Sequence, residues 1–160
     1  MTLPAASVIV VSRHRAAALG RCLMALAQQD HPQIEVIVVA DPEGLAAAKA
    51  TGLALKRVPF DEANISAARN LGLAAAAAPV VAFIDDDAVA EPTWISRLCA
   101  AFADPKVVAA TGFVRGRNGI SYQWKACEVD GLGDVWLVFD DDHRDHSRVS
   151  VESSDASDGA

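Results

Sequence analysis

The sequence predicts an α/β fold with three layers (α/β/α), in which helices cover both faces of a mostly parallel, Rossmann-type central sheet. Three observations predict it. Short β-branched runs alternate with alanine-rich stretches along most of the 160-residue chain. The β-branched runs are nearly continuous in apolar residues, which is typical of strands buried on both faces. Strands that alternate with helices form parallel sheets through right-handed crossovers.

The first strand and helix are the clearest elements. Ser7–Val11 is predicted as a strand buried on both faces. Ala16–Gln29 is predicted as the helix that follows it, because leucines recur there at helical spacing and form one apolar stripe: Leu19, Leu23 and Leu26. That stripe should pack on the sheet.

The next four elements continue the alternation. Glu35–Val39 is predicted as the second buried strand and Gly44–Thr51 as a short helix. Leu53–Val58 is a weaker third strand. Ile65–Ala78 is the next helix, and Pro79 ends it because proline lacks a backbone donor and clashes with the preceding turn.

The fourth strand leads into the most unusual segment of the chain. Val80–Ile84 is predicted as this strand and runs directly into three aspartates. A helix is predicted to begin near Pro92, with an apolar face formed by Trp94, Ile95, Leu98 and Phe102. Val107–Thr111 is predicted as a fifth strand.

The pattern weakens toward the end of the chain. Tyr122–Leu132 is compatible with a helix, and Val135–Phe139 is predicted as a strand. The cluster Asp140–His146 is interpreted as a solvated run of charge rather than a site. The sequence therefore divides into a core at residues 1–115 and a second region at residues 116–160, which ends in a polar tail.

Composition narrows the function classes. Hydrophobic residues make up 52% of the chain and charged residues 22%, as expected for a globular protein. The net charge of -7 argues against nucleic-acid binding, which requires a basic surface. No apolar run approaches the roughly 20 residues needed to cross a bilayer, and the N-terminus does not resemble a signal peptide. We expect a cytoplasmic protein with three reduced, mostly buried cysteines, either a monomer or a homodimer.

Three polar segments follow predicted strands directly. They are Ser12–Arg15, Asp41–Glu43 and Asp85–Asp87. Ligands of open parallel sheets bind at the carboxyl ends of the strands. We therefore expect the three segments to converge at one edge of the sheet.

The aspartates at 85, 86 and 87 are the strongest functional signal. Adjacent carboxylates about 5 Å apart repel by roughly 3 kcal/mol per pair at an effective dielectric near 20. A cation should offset that repulsion, and Mg²⁺ or Mn²⁺ is the natural choice because both prefer oxygen ligands. Persistent strand geometry would place Asp85 and Asp87 on one side and Asp86 on the other. The alternative is a solvated acidic loop that caps the next helix.

Five segments occur in an order typical of one enzyme family: Ser7–Gln29, Glu35–Asp41, Asn64–Leu73, Ala82–Ile95 and Asp104–Gly112. Together they resemble family-2 glycosyltransferases with the GT-A fold, over about residues 5 to 115. The resemblance implies a domain that binds a nucleoside diphosphate-sugar donor through a divalent metal. It also implies transfer of a glycosyl group to a saccharide or lipid-linked acceptor, with inversion at the anomeric carbon.

The resemblance assigns roles to residues that match its motifs. Asp87 would hold the metal that bridges the diphosphate, Asp85 would face the ribose or donor sugar with Asp86 beside it, and Asp41 would approach the base or ribose. Ser12 and Arg13 would line the nucleotide pocket. Asn64 or Arg69 would steady the nucleotide or the carboxylates.

Two positions depart from the family pattern. Ala40 stands where the first of two acidic residues is usual, and Arg13 stands where an aromatic is common. The identity of the base therefore stays open.

The catalytic residue also stays unassigned. In the family a catalytic carboxylate follows the metal motif, in an acceptor-binding half introduced by a Gly-Gly-Phe-Asp type turn, and no such segment is evident here. We expect the chain to stop before that half. Two alternatives remain: a non-catalytic nucleotide-binding remnant or regulatory module of this fold, and a phospho-acceptor signalling domain. The second lacks a suitably placed lysine.

Overall fold

The structure is a computed structural model that describes residues 3–51, 53–112, 114–115, 126–129, 134–138 and 148–150. The chain forms two compact units, Met1–Ala110 and Thr111–Ala160.

The first unit is built around one parallel sheet. Its strands are β1 (Ala6–Ser12), β2 (Ile34–Ala40), β3 (Leu55–Pro59) and β4 (Val80–Asp85). Its helices are α1 (Ala16–Leu26), α2 (Pro42–Ala50), α3 (Ile65–Ala75) and α4 (Trp94–Ala101). The strands lie in the order β3-β2-β1-β4, and every neighbouring pair is parallel. The predicted α/β fold is confirmed.

Alternate residues of the central strands enter two separate cores. Val8 and Val10 pack in a cluster that includes residues of α1, α2 and α4. Ile9, between them in sequence, packs with Ala68 of α3. Since successive side chains of a strand point to opposite faces, the helices cover both faces of the sheet. This arrangement explains why β1 carries apolar side chains at successive positions.

Helices α1 and α2 lie on one face of the sheet, and α3 lies on the other. The connections from β1 to β2 and from β2 to β3 pass through α1 and α2, and the connection from β3 to β4 passes through α3 on the opposite face. The strand order therefore reverses between β1 and β4. In open α/β sheets a ligand crevice forms at such a switch point, outside the carboxyl ends of the strands.

Polar side chains tie the strands together at the amino-terminal edge of the sheet. Glu35 accepts hydrogen bonds from the Ser7 hydroxyl and, at 2.7 Å, from the backbone N–H of Ala77. Lys56 Nζ lies 2.6 Å from the second carboxylate oxygen of Glu35. These contacts, with that from Lys56 first, lower the pKa of Glu35 to about 2. One side chain thus links β1, β2, β3 and the segment that leads into β4.

The ends of two helices differ from the prediction. Helix α1 ends at Leu26, earlier than the predicted Gln29. Helix α3 ends at Ala75, before the predicted Ala78, and Ala76 already has an extended backbone. Proline disfavours the helical conformation of the residue directly before it, which excludes Ala78 from the helix.

The predicted fifth strand at Val107–Thr111 is wrong. These residues belong to no strand, and Val108 is 90% exposed. Apolar β-branched residues form a strand only where a neighbouring strand and a covering layer are available. The local pattern at Val107–Thr111 could not indicate whether they are.

The second unit contains three short antiparallel strands among its described residues. They are β5 (Ala126–Val129), β6 (Asp134–Val138) and β7 (Arg148–Ser150), in the order β5-β6-β7. The predicted helix over Tyr122–Leu132 is therefore wrong at Ala126–Val129, which pairs with β6 instead. The strand predicted at Val135–Phe139 is confirmed through Val138. Phe139 and the cluster Asp140–His146 lie outside the described residues.

Two of the cysteines are buried as expected: Cys22 and Cys99 are both free thiols in the core. Among the residues that the structure describes, no helix combines the length and apolar character that crossing a bilayer requires.

Candidate functional site

A cleft of about 550 Å³ lies where β1 and β4 end. The segment after β1 contributes Ser12, Arg13 and Arg15 to its lining, and β4 and the turn after it contribute all three aspartates. The first turns of α3 close another side through Asn64 and Ala68. The predicted convergence of the first and third polar segments is thus observed. Asp41, from the second segment, does not line the cleft but contacts the β1 segment through His14.

Asp86 is the buried member of the aspartate trio, with only 4% of its surface exposed. The Ser12 hydroxyl donates to Asp86 Oδ2 at 2.7 Å, and Arg15 Nη1 lies 3.0 Å from Asp86 Oδ1. Strand β4 ends at Asp85, and a turn begins at Asp86. The extended geometry therefore ends at Asp85, but Asp86 is still the buried carboxylate between two exposed ones, as the alternation predicts.

The other two aspartates are more open. Asp87 has 49% of its side chain exposed and accepts a hydrogen bond of 2.7 Å from Arg15 Nη2. Asp85 is 73% exposed and lies 3.4 Å from Arg69 Nη2. The Arg69 guanidinium also lies over the Phe83 ring, 5.9 Å from its centroid, within the range of a cation–π contact.

Two arginines therefore supply positive charge to the trio. Arg15 bridges Asp86 and Asp87, and the hydrogen bond to Asp87 and the charge of Asp86 raise the pKa of Arg15. Arg69 faces Asp85. A cation was expected on electrostatic grounds, but the sequence analysis overlooked Arg15. The available signal was its position, three residues after Ser12 in a segment already predicted to reach the site.

Asp41 has a structural task at the start of α2. It is buried, and its Oδ1 accepts the Gly44 N–H at 2.7 Å, which caps the helix. Its Oδ2 accepts the His14 N–H at 2.6 Å and lies 3.0 Å from His14 Nδ1. The backbone hydrogen bonds from Gly44 and His14 lower the pKa of Asp41. His14, with a left-handed φ of 56°, thereby fixes the path of the chain after β1.

Asn64 and Arg13 also have defined partners. Asn64 caps α3, since its Oδ1 accepts the Ala67 N–H at 2.9 Å. Arg13 Nε donates to Asp61 Oδ1 at 2.9 Å. Both side chains line the cleft. Asp61 and His14 are further site neighbours that the sequence analysis did not assign.

Two groups of side chains could hold a metal ion. One is the aspartate trio, whose hard carboxylate oxygens suit Mg²⁺ or Mn²⁺ and already hold a cationic guanidinium. The other comprises His14, Asp41 and Asp61, with ligand atoms within 4.8 Å of one another. Both groups already have partners: the two Asp41 oxygens accept backbone hydrogen bonds, and the carboxylates of the trio contact Ser12, Arg15 and Arg69.

The fold is that of the GT-A glycosyltransferases, and solved structures of this class match the chain. A mannosyltransferase, PcManGT from Pyrobaculum calidifontis in complex with GDP-Man and Mn²⁺, is 27% identical with a TM-score of 0.58, over 66% of this chain and 34% of that one. S. aureus TarS 1–349 is 25% identical with a TM-score of 0.55, over 77% and 40%. The same protein in complex with UDP is 29% identical with a TM-score of 0.52, over 63% and 32%.

The chain belongs to glycosyl transferase family 2, whose family model matches residues 7–132. The family resemblance found in the sequence is thereby confirmed. No curated protein sequence matches the chain. The chain spans between about a third and two fifths of the three solved structures described above.

Proposed function

We propose that this chain binds the nucleoside diphosphate-sugar donor of a glycosyl transfer together with Mg²⁺ or Mn²⁺. The observation that carries the proposal is the aspartate trio at the switch point of the sheet, held there by the Ser12–Asp86 hydrogen bond. The mannosyltransferase from Pyrobaculum calidifontis, solved with GDP-Man and Mn²⁺, and TarS, solved with UDP, support the same ligand class.

In this proposal, different side chains bind different parts of the donor. Asp87 holds the metal, and Asp85 faces the ribose or donor sugar beside Asp86. The remaining residues proposed to bind the nucleotide are Ser12, Arg13 and Asn64, which line the cleft, and Asp41 and Arg69, which contact the segments that line it. Asp41 approaches the base or ribose only through whatever hydrogen-bonding capacity is left after it caps α2.

The chemistry of glycosyl transfer explains why positive charge is needed here. The leaving diphosphate gains negative charge as the glycosidic bond breaks, and a bound divalent ion would supply stabilisation for that charge. Arg15 and Arg69 add fixed positive charge beside the trio. The acceptor in this proposal is a saccharide or a lipid-linked acceptor, and the reaction inverts the anomeric carbon. The catalytic base is not assigned.

The division of labour along the chain is part of the proposal. Residues 1–115 form the donor-binding core, and residues 116–160 begin the region that faces the acceptor. Release of sugar from the donor would separate an enzyme from a non-catalytic nucleotide-binding module, since such a module binds the donor without releasing its sugar.

The test is a calorimetric titration of the 160-residue chain with GDP and with UDP, each in the presence and absence of Mn²⁺. Asp87→Ala should abolish the Mn²⁺-dependent binding, while Asp104→Ala, an exposed aspartate outside the cleft, should bind like the parent. Both variants should unfold within about 1 kcal/mol of the parent, because the ion pair of Asp87 with Arg15 is half-exposed and the Asp104 side chain is exposed. Normal Mn²⁺-dependent binding by Asp87→Ala would show that the proposed metal site is wrong.

A further inference from the structure

Arg15 joins a buried carboxylate to an exposed one. Its Nη1 lies 3.0 Å from Asp86 Oδ1 and its Nη2 lies 2.7 Å from Asp87 Oδ2. Asp86 is almost completely buried, whereas half of the Asp87 side chain is open to the cleft. The two contacts of the guanidinium therefore differ in how easily they can be exchanged.

The Asp86 contact is the anchored one. Asp86 is fixed by Ser12, whose hydroxyl donates to its other oxygen at 2.7 Å. Ser12 ends β1 and Asp86 follows β4, so neighbouring strands of the sheet set the position of the Arg15 anchor. Breaking this contact would leave a carboxylate buried with one partner fewer, which is costly.

The Asp87 contact is the exchangeable one. A guanidinium and a divalent ion cannot share one carboxylate oxygen closely without strong repulsion between the two cations. A guanidinium is also well suited to phosphate, which it binds through two parallel N–H groups. Arg15 thus lies where it must leave Asp87 when an ion arrives, and where the diphosphate offers it a new partner.

We propose that Arg15 is a positioning residue that exchanges partners during donor binding. Without metal its guanidinium neutralises Asp87 and opposes the entry of a divalent ion. With metal and nucleotide bound, it stays anchored on Asp86 and donates to the diphosphate instead. Free metal therefore binds weakly, and metal with nucleotide binds well. This inference rests on the proposed function. It adds that Arg15 lowers the affinity for the free ion and raises the affinity for the nucleotide with the ion.

The first measurement is the affinity for Mn²⁺ without nucleotide. The decrease of the electron paramagnetic resonance signal of free Mn²⁺ reports the binding. Arg15→Gln should raise the Mn²⁺ affinity by about 3- to 5-fold, the range expected from the loss of one partly exposed ion pair. Arg21→Gln is the matched control, since it removes one positive charge from an exposed position of α1, the helix that Arg15 precedes. It should change the affinity by less than about 2-fold, because solvent screens the more distant charge.

The second measurement is the binding of GDP and UDP at saturating Mn²⁺. Here Arg15→Gln should weaken the affinity by about 10-fold, the size of a lost charge-assisted hydrogen bond. Arg15→Lys should fall between the parent and Arg15→Gln, since lysine keeps the charge but not the paired donors.

The proposal requires that Arg15→Gln raises the affinity for free Mn²⁺ and also lowers the affinity for the nucleotide. If Arg15→Gln leaves Mn²⁺ affinity unchanged or lowers it, or if nucleotide affinity is unchanged, the exchange of partners is wrong. In either case Asp87→Ala would still lose Mn²⁺-dependent binding if the proposed function is right. Normal binding by Asp87→Ala would instead overturn the metal site itself. Because Arg15→Gln also removes a partner of the buried Asp86, its melting temperature should fall, and all binding is measured well below that temperature, where circular dichroism shows the variant to be folded.

Discussion

The hydrogen bond between Ser12 and Asp86 should stabilise the fold as well as the site. Ser12→Ala removes the donor but adds no bulk, so the Asp86 oxygen that now accepts at 2.7 Å would be left without that partner in a nearly closed environment. Leaving a buried acceptor unsatisfied costs about 1–3 kcal/mol, and more when the acceptor is charged. For a unit of this size, about 2 kcal/mol corresponds to a fall in melting temperature of roughly 8 °C or more.

Urea unfolding followed by circular dichroism measures the effect directly. Ser66→Ala is the control, because Ser66 is exposed on α3, and its unfolding free energy should change by no more than about 0.5 kcal/mol. A double-mutant cycle with Asp86→Asn separates the contact from other effects of the two substitutions. A loss below about 0.5 kcal/mol for Ser12→Ala would refute the reasoning, because it would mean that water satisfies Asp86 as well as Ser12 does.

The remaining predictions concern two helix glycines and the charge of Glu35 in the sheet. Gly72→Ala should destabilise the protein by about 1–3 kcal/mol, because a Cβ there would lie 2.5 Å from Ile9 Cγ2. Gly20→Ala, where a Cβ meets nothing within 4 Å, should instead stabilise the protein by about 0.5–1 kcal/mol through α1. If urea unfolding gives the same change in unfolding free energy for the two glycine variants, both predictions are wrong. Glu35, with its pKa lowered to about 2, should stabilise the fold above pH 4.5 and lose that contribution as the pH falls from about 4.5 toward 2. Glu35→Gln should therefore lower the unfolding free energy by about 1–2 kcal/mol at pH 7 and make it depend less on pH between about 4.5 and 2. An unchanged pH dependence in that range would show that other groups determine the loss of stability in acid.

The parts of the fold that could be predicted from the sequence are those whose signal is local. Strands β1 and β2 are apolar at successive positions because both of their faces are covered. The stripe of Leu19, Leu23 and Leu26 predicted α1 because those residues are its buried face. The aspartates were recognised because three adjacent carboxylates are unusual at the end of a strand.

The errors arose where structure depends on distant residues. The residues at Ala126–Val129 form a strand because β6 pairs with them, and the run at Val107–Thr111 lacks such pairing. Arg15 lies in the predicted Ser12–Arg15 segment, but nothing in the local sequence distinguishes it from Arg13 as the partner of the aspartates. Its role becomes visible only when the crevice between β1 and β4 brings Asp86 and Asp87 beside it.

The parallel topology also has a consequence for biosynthesis. Ser12 and Asp86 are 74 residues apart in sequence, so the two walls of the cleft emerge from the ribosome roughly 4 to 15 s apart at 5–20 residues per second. During that interval β1 can pair with β2, but its other edge has no partner until β4 has been synthesised. The nascent chain therefore carries an unpaired edge in the middle of its future sheet, the kind of edge that can pair with a neighbouring polypeptide.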